Sequence, residues 1–242
     1  MIKTTVRILV LGTLTFATAF AGSLGVPEVT RIIPADRDTT LIEQSDGAAG
    51  NGSGPAFFAG RILMGDDTVR RALVRFDLAS ALRPPPTKQP VGIDVETVAV
   101  VLTVTIEPPG APPREFRLHR LLADWGEGAA SSPGGTGADA AKGDATWIHT
   151  FFPDAFWLHN GGQFDGEPSA RLIVDGPGVY RFEGDGLLRD VKIWSEDPRR
   201  NFGWILIGDE TERQTARAFA SRENPNPSSR PALEIHYQVL GR

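Results

Sequence analysis

The stretch Asn201 to Tyr237, NFGWILIGDETERQTARAFASRENPNPSSRPALEIHY, decides the fold class. Gly203 to Ile207 is apolar on both faces, the pattern of a strand covered from two sides. Leu233, Ile235 and Tyr237 alternate with Glu234, His236 and Gln238, the period of a strand with one wet face. Between them Ala218 and Ala220 alternate with Phe219 and Ser221, and the Pro/Asn/Ser run Asn224 to Ser229 reads as a turn. These are the closing strands of an all-β domain.

The same period recurs upstream. Val95 to Glu107 carries Val98, Val100, Leu102, Val104 and Ile106 on one face and Thr103 and Thr105 on the other. Pro108-Pro109-Gly110 ends it, and Phe116 to Leu122 is expected as its hairpin partner. Arg70 to Leu78 places Ala72, Val74, Phe76 and Leu78 opposite Arg71, Leu73, Arg75 and Asp77, while Arg31 to Glu43 forms an earlier strand region. Ser45 to Pro55 is a Gly/Ser/Asn-rich loop, and Arg83-Pro84-Pro85-Pro86 is a stiff connector that cannot pair in a ladder. Downstream, Arg171 to Asp175 and Gly178 to Glu183 read as strands. Leu187, Leu188, Val191 and Trp194 then fall at helical spacing, with Asp185 as N-cap and Pro198 past the end. Trp194 is expected to pack this one substantial helix against the sheets. No internal repeat is present.

From Ala123 to Pro168 the periodicity lapses into a segment rich in Gly, Ala, Asp and aromatic residues. Irregular loops of this length in a compact domain are usually functional or disordered, and the aromatics argue against disorder.

Charge and the first residues narrow the function classes. Lys3 and Arg7, the apolar run Ile8 to Phe20 and the small-x-small triplet Ala19-Phe20-Ala21 have the form of a secretory signal peptide (1–21). The run is shorter than the roughly 20 residues a membrane span requires, so no membrane insertion is expected after cleavage. Cleavage after Ala21 leaves 221 of the 242 residues, a length that one β-sandwich can occupy, so 22–242 reads as a single domain. It also leaves 23 basic residues against 30 acidic ones, a net charge that argues against nucleic acid and anionic membrane as partners. There is no cysteine, which removes disulfides, thiolate metal sites and a thiol nucleophile. A secreted or periplasmic location follows from the leader.

Three groups of residues, taken together, carry a family resemblance. They are Asp38-Thr39-Thr40-Leu41-Ile42-Glu43 with Arg75-Phe76-Asp77-Leu78; Asp124-Trp125-Gly126-Glu127-Gly128 with Gly143-Asp144-Ala145-Thr146-Trp147; and Asn201-Phe202-Gly203-Trp204 with Phe219 to Glu223 and Arg230-Pro231. The chain resembles the DNRLRE-domain, or disaggregatase-related, family of exported proteins. That resemblance implies a jelly-roll β-sandwich of two antiparallel sheets, of a kind found in cell-surface and polysaccharide-degrading proteins. Some relatives are classed as carbohydrate-binding modules.

The irregular segment holds the candidate ligand residues Asp124, Trp125, Glu127, Trp147, His149, Trp157 and His159. Aromatic faces can pack the apolar side of a pyranose while carboxylates and imidazoles take its hydroxyls. The alternative is that these rings pin the segment onto the sheets. Asp124 and Glu127 are also the pair a glycosidase would need, although sequence spacing does not give their separation. His149 and His159 with Asp144 or Asp154 lack any helical metal-ligand spacing. Asp66-Asp67 and the Asp46 to Asn51 loop offer hard oxygens for a structural calcium, without EF-hand spacing, so no metal or cofactor is assigned. Ser221 lacks a nucleophile elbow, and Arg222, Glu223 and Arg230 are expected to clamp the last hairpin as an ion-pair cluster. The expectation is a non-catalytic domain that binds polysaccharide, with a structural or adhesive surface protein and a polysaccharide-degrading enzyme as alternatives.

Overall fold

The computed structural model describes residues 28–63, 68–82 and 92–240. The expected signal peptide (1–21), the triple-proline run and Asp66-Asp67 lie outside them. The first half forms β1 (Glu28–Ile42), β2 (Ala49–Gly50), β3 (Ala56–Arg61), β4 (Val69–Phe76), a one-turn helix α1 (Leu78–Ala81), β5 (Gly92–Ile106) and β6 (Arg114–Arg120). Short strands β7 (Ala138–Asp139), β8 (His149–Phe151) and β9 (Ala155–Phe156) interrupt the irregular segment. The second half adds β10 (Ala170–Val174), β11 (Gly178–Glu183), helix α2 (Asp185–Glu196), β12 (Trp204–Ile207), β13 (Arg217–Ala220) and β14 (Ala232–Leu240).

The all-β expectation holds, with every ladder antiparallel. One layer runs β1-β14-β5-β13-β3, with β11 also on β5, and the other runs β1-β4-β12-β6-β10. The layers are joined rather than separate. β1 pairs β14 through residues 28–34 and β4 through 35–42, turning at a bulge between Ala35 and Arg37. Pro34 precedes that turn, and a bulge bends the strand that carries it. β3 makes the second corner, pairing β13 up to Ala59 and β4 from Gly60. Gly60 has φ +112°, and a Cβ there would sit 2.8 Å from Ala216 Cα, so only glycine fits this corner. The circuit β1-β14-β5-β13-β3-β4 closes into a six-stranded ring.

On the remaining side β10 and β11 lie near each other without a shared ladder, and α2 packs there with Leu187, Val191 and Trp194 in the core. The helix begins at Asp185 with Gly184 at the cap position, so Asp185 lies in the first turn rather than capping it. β6 is not the hairpin partner of β5: it pairs β12 and β10 in the opposite layer. The connection crosses between the layers, and Val104 and Phe116 face the one core from opposite sides, where Phe116 meets Phe219 edge-on at 5.5 Å.

Two large apolar cores result among the described residues, with a small third cluster of Ala56, Phe58 and Ala218. The larger lies between the layers and takes Val98, Val100, Leu102 and Val104 of β5, the alternate set of β4, and Leu233 and Ile235. The second lies on the outside of the β4-β12-β6 layer. There Leu41, Leu73, Ile205 and Ile207 are covered by Leu121, just past the end of β6, and by Trp125, Ala145 and Trp157 from the irregular segment. That segment is a third layer. It explains why Gly203 to Ile207 is apolar on both faces, and why Leu73 interrupts an otherwise polar stripe. Among the described residues no helix is long and apolar enough to cross a membrane.

Candidate functional site

The third layer is held by a carboxylate. Asp144 is fully buried; its Oδ1 accepts the Ala129 and Ala130 amides at 2.7 and 3.3 Å, and its Oδ2 accepts Ala141 at 2.6 Å. Three amides from two turns of chain therefore converge on one side chain. The two motif blocks interlock around it, with the Ala145 amide donating to Gly126 O at 2.8 Å and the Gly126 amide to Thr150 O at 3.0 Å. At Gly128, where φ is +73°, a Cβ would lie 1.4 Å from Asp144 Oδ1. The glycines of Asp124 to Gly128 are there for close approach.

The candidate residues then separate. Trp125 and Trp157 are 0% and 5% exposed, and their indole N–H groups donate to Phe202 O at 2.8 Å and Thr146 O at 2.9 Å. Their rings cover the outer sheet face and offer no side to a sugar, which corrects the expectation placed on them. Trp147 is half-buried, with the Arg71 guanidinium 5.0 Å from its ring centroid. His149 is buried, with Nδ1 2.9 Å from Thr146 Oγ1 and its ring against Phe152 and Phe156. Asp124 is exposed beside Arg37 at 3.3 Å, and its Oδ1 caps the Trp125 amide. Glu127 is held by Arg222 at 2.7 and 3.0 Å and accepts the Asp38 amide at 2.9 Å. His159 is exposed.

The sequence reading missed Phe156 and Leu158, 63% and 71% exposed on and just after β9. Their signal is a period of two: Trp157 points inward, so its neighbours on either side point out. Asn51 of the proposed calcium loop binds Ala56 O and the Ser132 amide, and Asp46 binds the Ala48 amide, so those oxygens serve the loop itself.

Among the described residues one carboxylate group has the spacing for a cation: oxygens of Asp38, Glu127 and Glu223 lie within 4.8 Å of one another. Arg222 already supplies positive charge there, bound to Glu127 and 3.0 Å from Glu223 Oε1. The expected clamp of Arg222 and Glu223 is thus present with Glu127 as its main partner, whereas Arg230 donates to Asn224 O instead. Ser221 is buried, donating to Gly54 O at 2.7 Å and accepting the Glu223 amide. Burial pushes the Asp38 carboxyl well above the usual carboxylate range, and burial likewise raises Glu223 against the pull of Arg222. A carboxyl raised in the folded state stabilises the fold below its unfolded pKa, and that contribution fades as pH climbs through the folded value. Stability from this cluster should therefore fall with rising pH above the ordinary carboxyl pKa. Asp38→Asn, whose amide oxygen can still accept the Arg222 amide, is expected to flatten that fall. Thermal melting of both proteins across pH 3 to 8 measures it; parallel curves would show that Asp38 does not titrate in the window.

No family model matches the chain, and no curated protein matches it.

Proposed function

We propose that the protein is exported and binds an extracellular or cell-envelope polysaccharide without transforming it, through the outer surface of the third layer. The observation that carries this reading is Phe156. Its ring is 63% exposed, and its centroid lies 4.7 Å from that of the His149 ring, which steadies it from behind. A fixed, exposed aromatic beside Leu158 and His159 suits the apolar face of a pyranose. The resemblance borne by the Asp124 to Gly128 and Gly143 to Trp147 blocks supports the same reading. Asp124 and Glu127 each lie against an arginine, Arg37 and Arg222, which occupies the carboxylate that a glycosidase would turn to its substrate.

A glycan array probed with the protein, with and without calcium, tests this. Specific binding that weakens about tenfold in Phe156→Ala, the value of one stacked ring, is the expected result. Absence of binding to any polysaccharide would move the weight to a structural or adhesive role, for which the same apolar tip would be the protein contact.

A further inference from the structure

A second recognition surface lies where β12 ends and β6 begins. An open, polar-walled pocket of about 420 Å³ is lined there by Arg114, Glu115, Arg117, Asp209, Glu210 and Thr211, a size within the range of small-molecule sites. Its walls are fixed from behind. Arg71 holds both Glu210 oxygens at 2.7 and 2.9 Å, and Asp209 Oδ1 accepts the amides of Thr211 and Glu212 at 2.9 and 3.1 Å. The two lining guanidinium groups are held more loosely. Arg114 pairs with Asp209 at 3.3 Å and Arg117 with Glu115 at 3.6 Å, and the buried Nε of each has no hydrogen-bond partner among the described residues.

We infer that this pocket takes a neutral, hydroxyl-rich ligand, a glycosyl residue of the polysaccharide; the inference rests on the binding function proposed above and adds a site and a ligand class to it. The wall charges decide the class. Arg71 balances Glu210, which leaves Arg114 and Arg117 against Glu115 and Asp209, so the walls carry no net charge and either an anion or a cation entering the pocket meets a like charge. A hydroxyl avoids both conflicts, since it accepts from a guanidinium and donates to a carboxylate at once. The pocket is also continuous with the third layer through Arg71, which donates to Gly161 O at 2.8 Å and lies over Trp147 while it holds Glu210. A chain of sugars could therefore be read at two places on one face.

The test is calorimetric titration with neutral gluco-, manno- and galacto-oligosaccharides, and with an oligogalacturonate as the charged comparator. It is run on the wild-type protein, Arg114→Ala, Arg117→Ala and Phe156→Ala. The expected result is binding of a neutral oligosaccharide that weakens about tenfold or more in either arginine variant, as loss of a hydrogen bond to a charged group implies. Amide resonances of Gly208 and Thr211 in the unaltered protein should shift on titration, a readout that stands even where a variant folds poorly. Neutral binding that is lost in Phe156→Ala but unchanged in both arginine variants, with no shift at Gly208 or Thr211, overturns this pocket and leaves the proposed function standing. Tighter binding of the oligogalacturonate overturns the neutral class. No binding by any oligosaccharide overturns the pocket and the proposed function together.

Discussion

Asp144→Ala is expected to destabilise the protein by about 4 kcal/mol, because three amides lose a charged acceptor worth roughly 1.5–3 kcal/mol each before relaxation. The amides of Ala129 and Ala130 come from one turn and that of Ala141 from another, so the one carboxylate ties the two together. The loss should therefore be uneven. Hydrogen exchange should rise first across the third layer, while β5 and β14 in the main core stay protected until global unfolding. Asp144→Asn should fall between the two proteins, since its amide group would set a donor against the Ala129 or the Ala141 donor. Urea unfolding gives the magnitude. A change under about 1 kcal/mol, or uniform exchange, would mean that the buried tryptophans alone fix the layer.

Trp204→Ala carries the other large effect. The side chain is fully buried, with its ring centroid 4.5 Å from that of Trp194 and 6.1 Å from that of Phe76. Its indole N–H donates to Asp190 Oδ2 at 2.9 Å, inside the core where α2 meets the sheet. Truncation opens a cavity costing about 3–5 kcal/mol and leaves a buried carboxylate one donor short. Of the usual stability of a domain, roughly 5–15 kcal/mol, little would remain. The expected outcome is a protein that melts tens of degrees lower or accumulates unfolded. Trp204→Phe keeps most of the packing and loses the donor, so it should cost about 2 kcal/mol. If the alanine variant melted within a few degrees of wild type, α2 would not depend on this contact to stay packed on the sheet.

How far the sequence discloses the fold can be judged from individual residues. Val98, Val100, Leu102 and Val104 and the set of Leu233, Ile235 and Tyr237 are buried as their period requires, because each lies on the inner face of its strand, whereas Ile106, assigned to the same stripe, is 61% exposed at the end of β5. The helix is legible from Leu187, Val191 and Trp194 for the same reason. β3 escaped notice because Ala56 to Ala59 is buried on both faces and so shows no alternation. The closed ring escaped because it depends on where β1 and β3 change partners, at a bulge and a glycine whose neighbours look like any other strand. The third layer has no period to read. It is specified by close backbone approach at Gly126 and Gly128 and by one buried carboxylate, and such contacts join residues whose spacing in the chain is arbitrary. For that reason Asp124 to Gly128 and Gly143 to Trp147, which suggested a ligand surface, turn out to be mainly the fastening of that layer. The exposed Phe156 was legible in principle, since Trp157 beside it had to turn inward.

The pairing of Glu28 with Gln238 sets how the fold would bear a mechanical load. The first and last long strands lie side by side and run in opposite directions, so a pull on both ends acts across the ladder and not along it. Tension would reach one pair at a time, and β14 would peel from β1 like a zip at low force. A tether made through the two ends would yield early, whereas an attachment through the third layer would load the six-stranded ring as a whole.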